Sequence, residues 1–211
     1  MHLQFARAIL GIVGSPRSGG NTEAMTKMAL EEASREGIET ELITLAGKTI
    51  TLCDACVSCR TTGECHIKDD FQDIYDKMLS SDGFILATPV WFGAATPQMT
   101  SLISRCYVTR GSPQRYRAVE NGSEVELTVA GKPFENKVGG PIVVARRAGK
   151  TFTFAQLMLF FMIQGMIVPG SLYWNVVVGR QKGQAAEDEE GVRTIRYFGR
   201  KLAWLAKKIN T

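Results

Sequence analysis

The chain has 211 residues, 45% of them hydrophobic and 22% charged, the proportions of a soluble globular protein with enough apolar material for one sizeable core. Its formal charge of +4 is small and dispersed, and no basic run is interleaved with aromatics. That sets nucleic-acid binding aside and suits an anionic cofactor. The most apolar stretch, Phe152 to Val168, is interrupted by Gln156, Gln164 and Gly165; a bilayer needs about 20 mostly apolar residues, so it reads as buried helix and not as a membrane span. Met1 to Arg7 holds no apolar stretch of signal-peptide length. The expected setting is a reducing, cytoplasmic compartment, where clustered cysteines point to metal ligation or redox chemistry and not to disulfides.

Ala8–Val13 is an unbroken apolar run ending at Gly14, expected as a strand buried on both faces. Thr22–Glu36 carries Ala24, Met25, Met28, Ala29 and Ala33 along one stripe and predicts the first helix. Glu39–Leu45 alternates in part and predicts a second strand. In Asp70–Ser80, Phe71, Ile74, Tyr75, Met78 and Leu79 fall at helical spacing; Gly83–Thr88 is a third strand. Thr96 as N-cap and Pro97 at the first helical position open the next helix, whose Met99, Leu102, Ile103, Cys106 and Tyr107 repeat the spacing. Lys137–Ala145 predicts a fourth strand, Thr151–Gln164 a very apolar helix, and either Ile167–Val168 or Val176–Val178 a fifth strand. The last helix begins acidic at Glu187–Glu190 and ends basic at Lys207 and Lys208, as the helix dipole favours.

Five strands alternating with helices predict an α/β fold, a doubly wound parallel sheet covered on both faces, in one domain spanning residues 1–211. The stretch 109–136 lacks long periodicity and is expected as an insertion before the fourth strand, with Glu124–Val129 as one strand of a small hairpin. The helix at 151–164 is apolar nearly all round, more than one sheet face can cover, which predicts a homo-oligomer.

Gly14–Thr22, Gly-Ser-Pro-Arg-Ser-Gly-Gly-Asn-Thr, lies between a buried strand and a helix start, where backbone N–H groups and the helix dipole attract anions. Ser15, Ser18, Asn21 and Thr22 add short donors and Arg17 a cation. Neither a nucleotide P-loop nor a dinucleotide fingerprint fits, because Gly20 and Asn21 follow Gly19, and Gly11 and Gly14 are separated by two residues. By itself this turn is also compatible with a plain polar helix start. Thr88–Gly93 follows the third strand, and ligands of such sheets bind outside the strands' carboxyl ends. There Pro89, Val90, Trp91, Phe92 and Gly93 offer a flat apolar wall, or ordinary packing. Cys53, Cys56, Cys59 and Cys65 form C-x2-C-x2-C-x5-C, soft ligands in one compact group. The spacing favours a [4Fe–4S] cluster over zinc, which usually takes two Cys-x2-Cys knuckles across a longer loop; reduced thiols without metal stay open. His66 is expected as a bystander and Cys106 as core.

The loops Gly14–Thr22 and Thr88–Gly93, with Pro97–Arg105 after them, resemble the flavodoxin-like NAD(P)H-dependent FMN reductase family. The resemblance runs over roughly residues 6 to 180. It implies FMN, with its phosphate at Ser15, Arg17, Ser18, Gly20, Asn21 and Thr22 and its ring against Pro89, Val90, Trp91, Phe92 and Gly93. Trp91 stands where tyrosine is frequent in that family. Arg146 and Gly149 occupy the family's third cofactor loop. With the four cysteines between the second strand and second helix, the chain resembles the iron–sulfur flavoproteins of archaea and anaerobic bacteria. That resemblance implies a homo-oligomer, commonly a tetramer, exchanging electrons with a ferredoxin-like carrier. An NAD(P)H-dependent flavin or quinone reductase with zinc or nothing at the cysteines, and a redox sensor without turnover, are the alternatives. No acid–base pair is visible, and flavin chemistry requires none.

Overall fold

The computed structural model describes residues 8–109, 114–129 and 131–209. Met1–Arg7, expected to hold no leader, lie outside the described residues, as do 110–113 and 130 within the insertion. Seven strands and six helices follow in chain order: β1 (Ala8–Val13), α1 (Asn21–Arg35), β2 (Glu39–Thr44), α2 (Cys59–Thr62), α3 (Phe71–Ser80), β3 (Gly83–Pro89), α4 (Pro97–Val108), β4 (Gln114–Glu120), β5 (Ser123–Val129), β6 (Val138–Ala145), α5 (Lys150–Ile163), β7 (Val176–Val178) and α6 (Glu189–Ile209). Among the described residues no helix is long and apolar enough to cross a membrane.

The main sheet runs β2-β1-β3-β6-β7 with every pair parallel, the flavodoxin-like order in which the strand sequence reverses between β1 and β3. β4 and β5 form a separate antiparallel hairpin, the insertion expected before the fourth parallel strand. Of the two candidates for the fifth strand, Val176–Val178 joins the sheet. Ile167 makes only an isolated bridge to Val138, and Pro169, with no N–H to donate, follows too soon for a ladder to grow.

Alternation along the central strands sends neighbouring side chains to opposite faces. Leu10, Ile12, Phe84, Leu86 and Val143 pack with α3, α4 and α5. Ile9, Ile85, Ala87, Ile142 and Val144 pack with α1 and α6. Each large side chain so buried contributes about 1.5–3 kcal/mol. The two layers hold the carboxyl ends of β1, β3, β6 and β7 on one rim, and the loops leaving those ends build the site.

One buried charge fastens α1 to α6. Glu32 is 4% exposed and accepts hydrogen bonds from Arg35 at 2.7 Å, Arg196 at 2.8 Å and Arg200 at 2.9 Å. Burial alone would raise its pKa, but the arginines outweigh burial and hold it below the ordinary carboxylate value. A lowered folded pKa stabilises above the unfolded value, about 4.3, and that stability is lost as pH falls through the folded one. Glu32→Gln is therefore expected to lower stability by roughly 1–3 kcal/mol at neutral pH. In urea unfolding the gap should narrow below about pH 4; a gap that persists unchanged in acid would refute the electrostatic origin.

Candidate functional site

Four loops enclose a cleft of about 420 Å³ at the carboxyl rim of the sheet. The β1 loop contributes Ser15, Arg17, Ser18, Gly20, Asn21 and Thr22; the β3 loop Pro89, Val90 and Trp91; the β6 end Arg146; and the β7 loop Gly179, Arg180 and Lys182. The β1 loop is braced from within: Ser15 Oγ accepts from Arg17 N at 3.2 Å, and Glu23 accepts from Gly19 N at 2.6 Å while paired to Lys27. Gly20 caps α1 without a side-chain hydrogen bond, so no side chain of the helix's own cap competes for its first N–H groups. Gly14 must be small, since a Cβ there would stand 2.9 Å from Met99 Cβ. That closeness lets Thr96, the N-cap of α4, donate its hydroxyl to Gly14 O at 2.7 Å while accepting from Met99 N at 3.4 Å.

Electrostatically the cleft is one-sided. Arg17, Arg146, Arg180 and Lys182 line it, and none of the four forms an ion pair among the described residues. Cations without ion-pair partners that line a cleft at a glycine-rich helix start are an arrangement that attracts anions. Glycines and the Pro89–Trp91 wall leave a slot for a flat apolar group.

Not every residue picked from the sequence faces this cleft. Asn21 lines it, but its amide is committed elsewhere: Nδ2 donates to Gln181 O at 2.7 Å and Oδ1 accepts from Gly183 N at 2.8 Å. It ties the β1 loop to the β7 loop. Phe92 is fully exposed, at the tip of a tight turn in which Trp91 and Ala94 exchange backbone hydrogen bonds. Phe92 (φ 48°) and Gly93 (φ 80°) both take the left-handed conformation, the mark of a I′-type turn. Gly149, also left-handed at φ 85°, packs beneath that turn; a Cβ on it would lie 2.8 Å from Val90 Cγ1. Arg180 and Lys182 went unrecognised. Their signal was a basic, glycine-flanked run, Gly179–Gly183, directly after a candidate strand.

The cysteine segment forms a second centre. Cys53, Cys56, Cys59 and Cys65 are all free thiols and all line one small cavity, together with Asp54, His66 and Arg105. Cys56 is exposed, whereas Cys59 and Cys65 are buried. Ala55 (φ 59°) and Val57 (φ 56°) are left-handed, which for a β-branched residue costs on the order of 1–3 kcal/mol and marks a loop wound for a purpose. His66, expected as a bystander to the metal, sets its Nε2 2.8 Å from Asp54 Oδ2. Among the described residues, the side chains near enough to share one ion, within 4.8 Å, are Asp54, Cys56 and His66. The sulfurs of Cys53, Cys59 and Cys65 stand outside that group. Cys106 is core, fully buried on α4, and burial pushes its thiol pKa up.

Arg105, near the end of α4, anchors the segment. It is 1% exposed. Its Nη1 reaches both oxygens of Asp69, at 2.8 and 2.7 Å, and Thr51 O at 3.3 Å; Nη2 reaches Ile67 O at 3.2 Å. Burial would raise the pKa of Asp69, but the Arg105 hydrogen bonds and two backbone N–H donors outweigh it and hold the carboxyl below its ordinary value.

Comparison with known proteins places the chain in a family. The family model described as NADPH-dependent FMN reductase matches residues 8–181. An iron–sulfur flavoprotein of Methanocaldococcus jannaschii is 36% identical over 208 residues, covering 95% of this chain and 98% of the relative. One of Methanosarcina thermophila is 32% identical over 200 residues, 92% of each chain. RosB, solved with 8-demethyl-8-formylriboflavin-5'-phosphate bound, superimposes at a TM-score of 0.72 over 97% of this chain and 81% of its own. At 17% identity that likeness speaks to the fold.

Proposed function

Since the chain belongs to the NADPH-dependent FMN reductase family and to the iron–sulfur flavoproteins, which makes it a flavin-dependent oxidoreductase, we propose that it holds FMN in the rim cleft and a [4Fe–4S] cluster on Cys53, Cys56, Cys59 and Cys65. Electrons would pass between a ferredoxin-like carrier and FMN. The observation that carries the flavin assignment is the set of four unpaired cations around a glycine-rich helix start. Ser15, Ser18, Thr22 and the α1 N-terminus would receive the phosphate, with Arg17, Arg146, Arg180 and Lys182 balancing its charge. Pro89, Val90 and Trp91 would back the ring, and Asn21 would keep the two phosphate-side loops together. FMN, when bound, supplies both one- and two-electron chemistry, so the chain's own task is binding, orientation and electrostatics. The test is the flavin content of anoxically purified protein and an FMN titration; protein that arrives without flavin and gives no isotherm refutes the assignment.

For the cysteine centre, the donor set supports iron over zinc. Four thiolates within one C-x2-C-x2-C-x5-C run suit a compact cluster, whereas a structural zinc usually takes two Cys-x2-Cys knuckles across a longer loop. The second reading, zinc, is favoured by one observation, the Asp54–Cys56–His66 group. Iron, sulfide and zinc assays after anoxic preparation separate the two. Turnover with NAD(P)H in place of reduced ferredoxin separates the reductase reading, and absence of turnover with either would favour a sensor.

We also propose that a second copy of the chain covers α5. Phe152, Leu159, Met162 and Ile163 are each at least half exposed on that helix, an apolar face that monomers rarely leave open. A mass above the monomer by light scattering at micromolar concentration is the expected result; a monomeric mass refutes it.

A further inference from the structure

We propose that Arg105 is the positioning residue of the cysteine centre, fastening both ends of its loop and setting the ease with which the metal group there is reduced. The proposal rests on the [4Fe–4S] reading of that centre. A fully buried guanidinium needs compensation on every side, and the partners of Arg105 are not scattered. Thr51 O lies just before Cys53; Ile67 O and the Asp69 carboxylate lie just after Cys65. Cys65 lines the same small cavity as Arg105, and the guanidinium rests 4.1 Å over the Phe71 ring. A lysine could supply the charge but not this fork of bonds in one plane.

Arg105 does more than close a loop. It lines the cavity shared by the four cysteines. Its Nε is buried and has no hydrogen-bond partner among the described residues, whereas buried donors are otherwise nearly always paired. A cation beside a cluster favours the more negative, reduced form, and hydrogen bonds toward the sulfurs act in the same direction. Asp69 lies behind the guanidinium and offsets part of its charge. Removing one or the other should therefore move the cluster in opposite directions. A purely structural staple has no reason to do so.

The far end of the same helix belongs to the flavin side, through Thr96 and Gly14. Thr96 and Arg105 lie nine positions apart along α4, about 14 Å of helix, so changes at Arg105 should leave the flavin cradle intact. This gives the experiment its internal control.

The test is an EPR-monitored redox titration of anoxic holoprotein, with iron, sulfide and FMN content measured alongside. At the potential that half-reduces the wild-type cluster, Arg105→Gln should lower the reduced-to-oxidised ratio at least tenfold, 59 mV for one electron. Asp69→Asn should raise the ratio by a similar factor, and Arg105→Lys should stay within about threefold of wild type because the charge remains. FMN content should be unchanged in all three. Should Arg105→Gln fail to take up iron, Asp69→Asn decides, since it keeps the side chain's shape and one of its two accepting oxygens while removing the charge. Clusters of the Gln and Asn variants that titrate with wild type, or shift in the same direction, overturn the role of Arg105 while leaving the cluster assignment standing. Wild-type protein without iron and sulfide overturns both.

Discussion

Cys56→Ala is expected to strip the metal while leaving FMN in place. Cys56 is the exposed member of the four, so removing its sulfur opens no cavity in the core and the sheet should fold as before. One ligand in four is lost, and even outer-shell partners of a metal are worth 10–100-fold in affinity. Iron content should collapse, and flavin reduction driven by reduced ferredoxin should slow on the order of 100-fold or more. FMN affinity should stay within about twofold, because no cysteine lines the rim cleft. His66→Ala serves as the companion experiment. If iron sits on the four sulfurs, that variant keeps its metal; if zinc sits on Asp54, Cys56 and His66, it does not. Full ferredoxin-dependent flavin reduction in Cys56→Ala would sink the idea that the segment conducts electrons.

The second large effect is expected at the β7 loop. Arg180 and Lys182 line the cleft and are exposed, so solvent weakens each contact with a phosphate dianion. Screening brings each to the order of 0.5–1.5 kcal/mol. Replacing both by alanine should then weaken FMN binding roughly 10- to 100-fold. The loss should shrink as salt is added, because the wild-type contacts are screened away and the variant has fewer to lose. Fluorescence titration of FMN at low and high ionic strength checks both halves. An affinity that is unchanged at low salt would place the phosphate elsewhere.

Much of this molecule was written locally enough to read. β1 and β6 are apolar runs because each is covered on both faces, and such runs need no partner to be recognised. α4 announced itself through Thr96 and Pro97, and the cap forms as expected. The cysteine spacing was equally local. What escaped depends on contacts far apart in the chain. Asn21 looks like a phosphate donor until its amide is seen to hold a loop 160 positions away. β7 has three residues, too short for periodicity to decide between it and Ile167–Val168, so the cations that follow it could not be placed on the rim from sequence. Phe92 reads as a ring contact, but Gly93 after it was the sign of a left-handed turn that aims the side chain outward. Arg105 stood in plain view, a charge between Leu102 and Cys106 on an apolar face, and only its buried partner Asp69 makes sense of it.

The same anchor has a bearing on how such a protein can be altered by evolution or by design. Thr51 and Ile67 are held to one guanidinium, so everything from Leu52 to His66 begins and ends at a fixed point outside the sheet. A loop with pinned ends can change length cheaply, each doubling costing only about 0.6 kcal/mol in closure entropy. Length changes in its exposed part need not move β2 or α3 so long as the bond from the Cys65 N–H to Gln72 of α3 is kept. The scaffold and its cysteine segment can drift independently, provided the arginine and its carboxylate stay together.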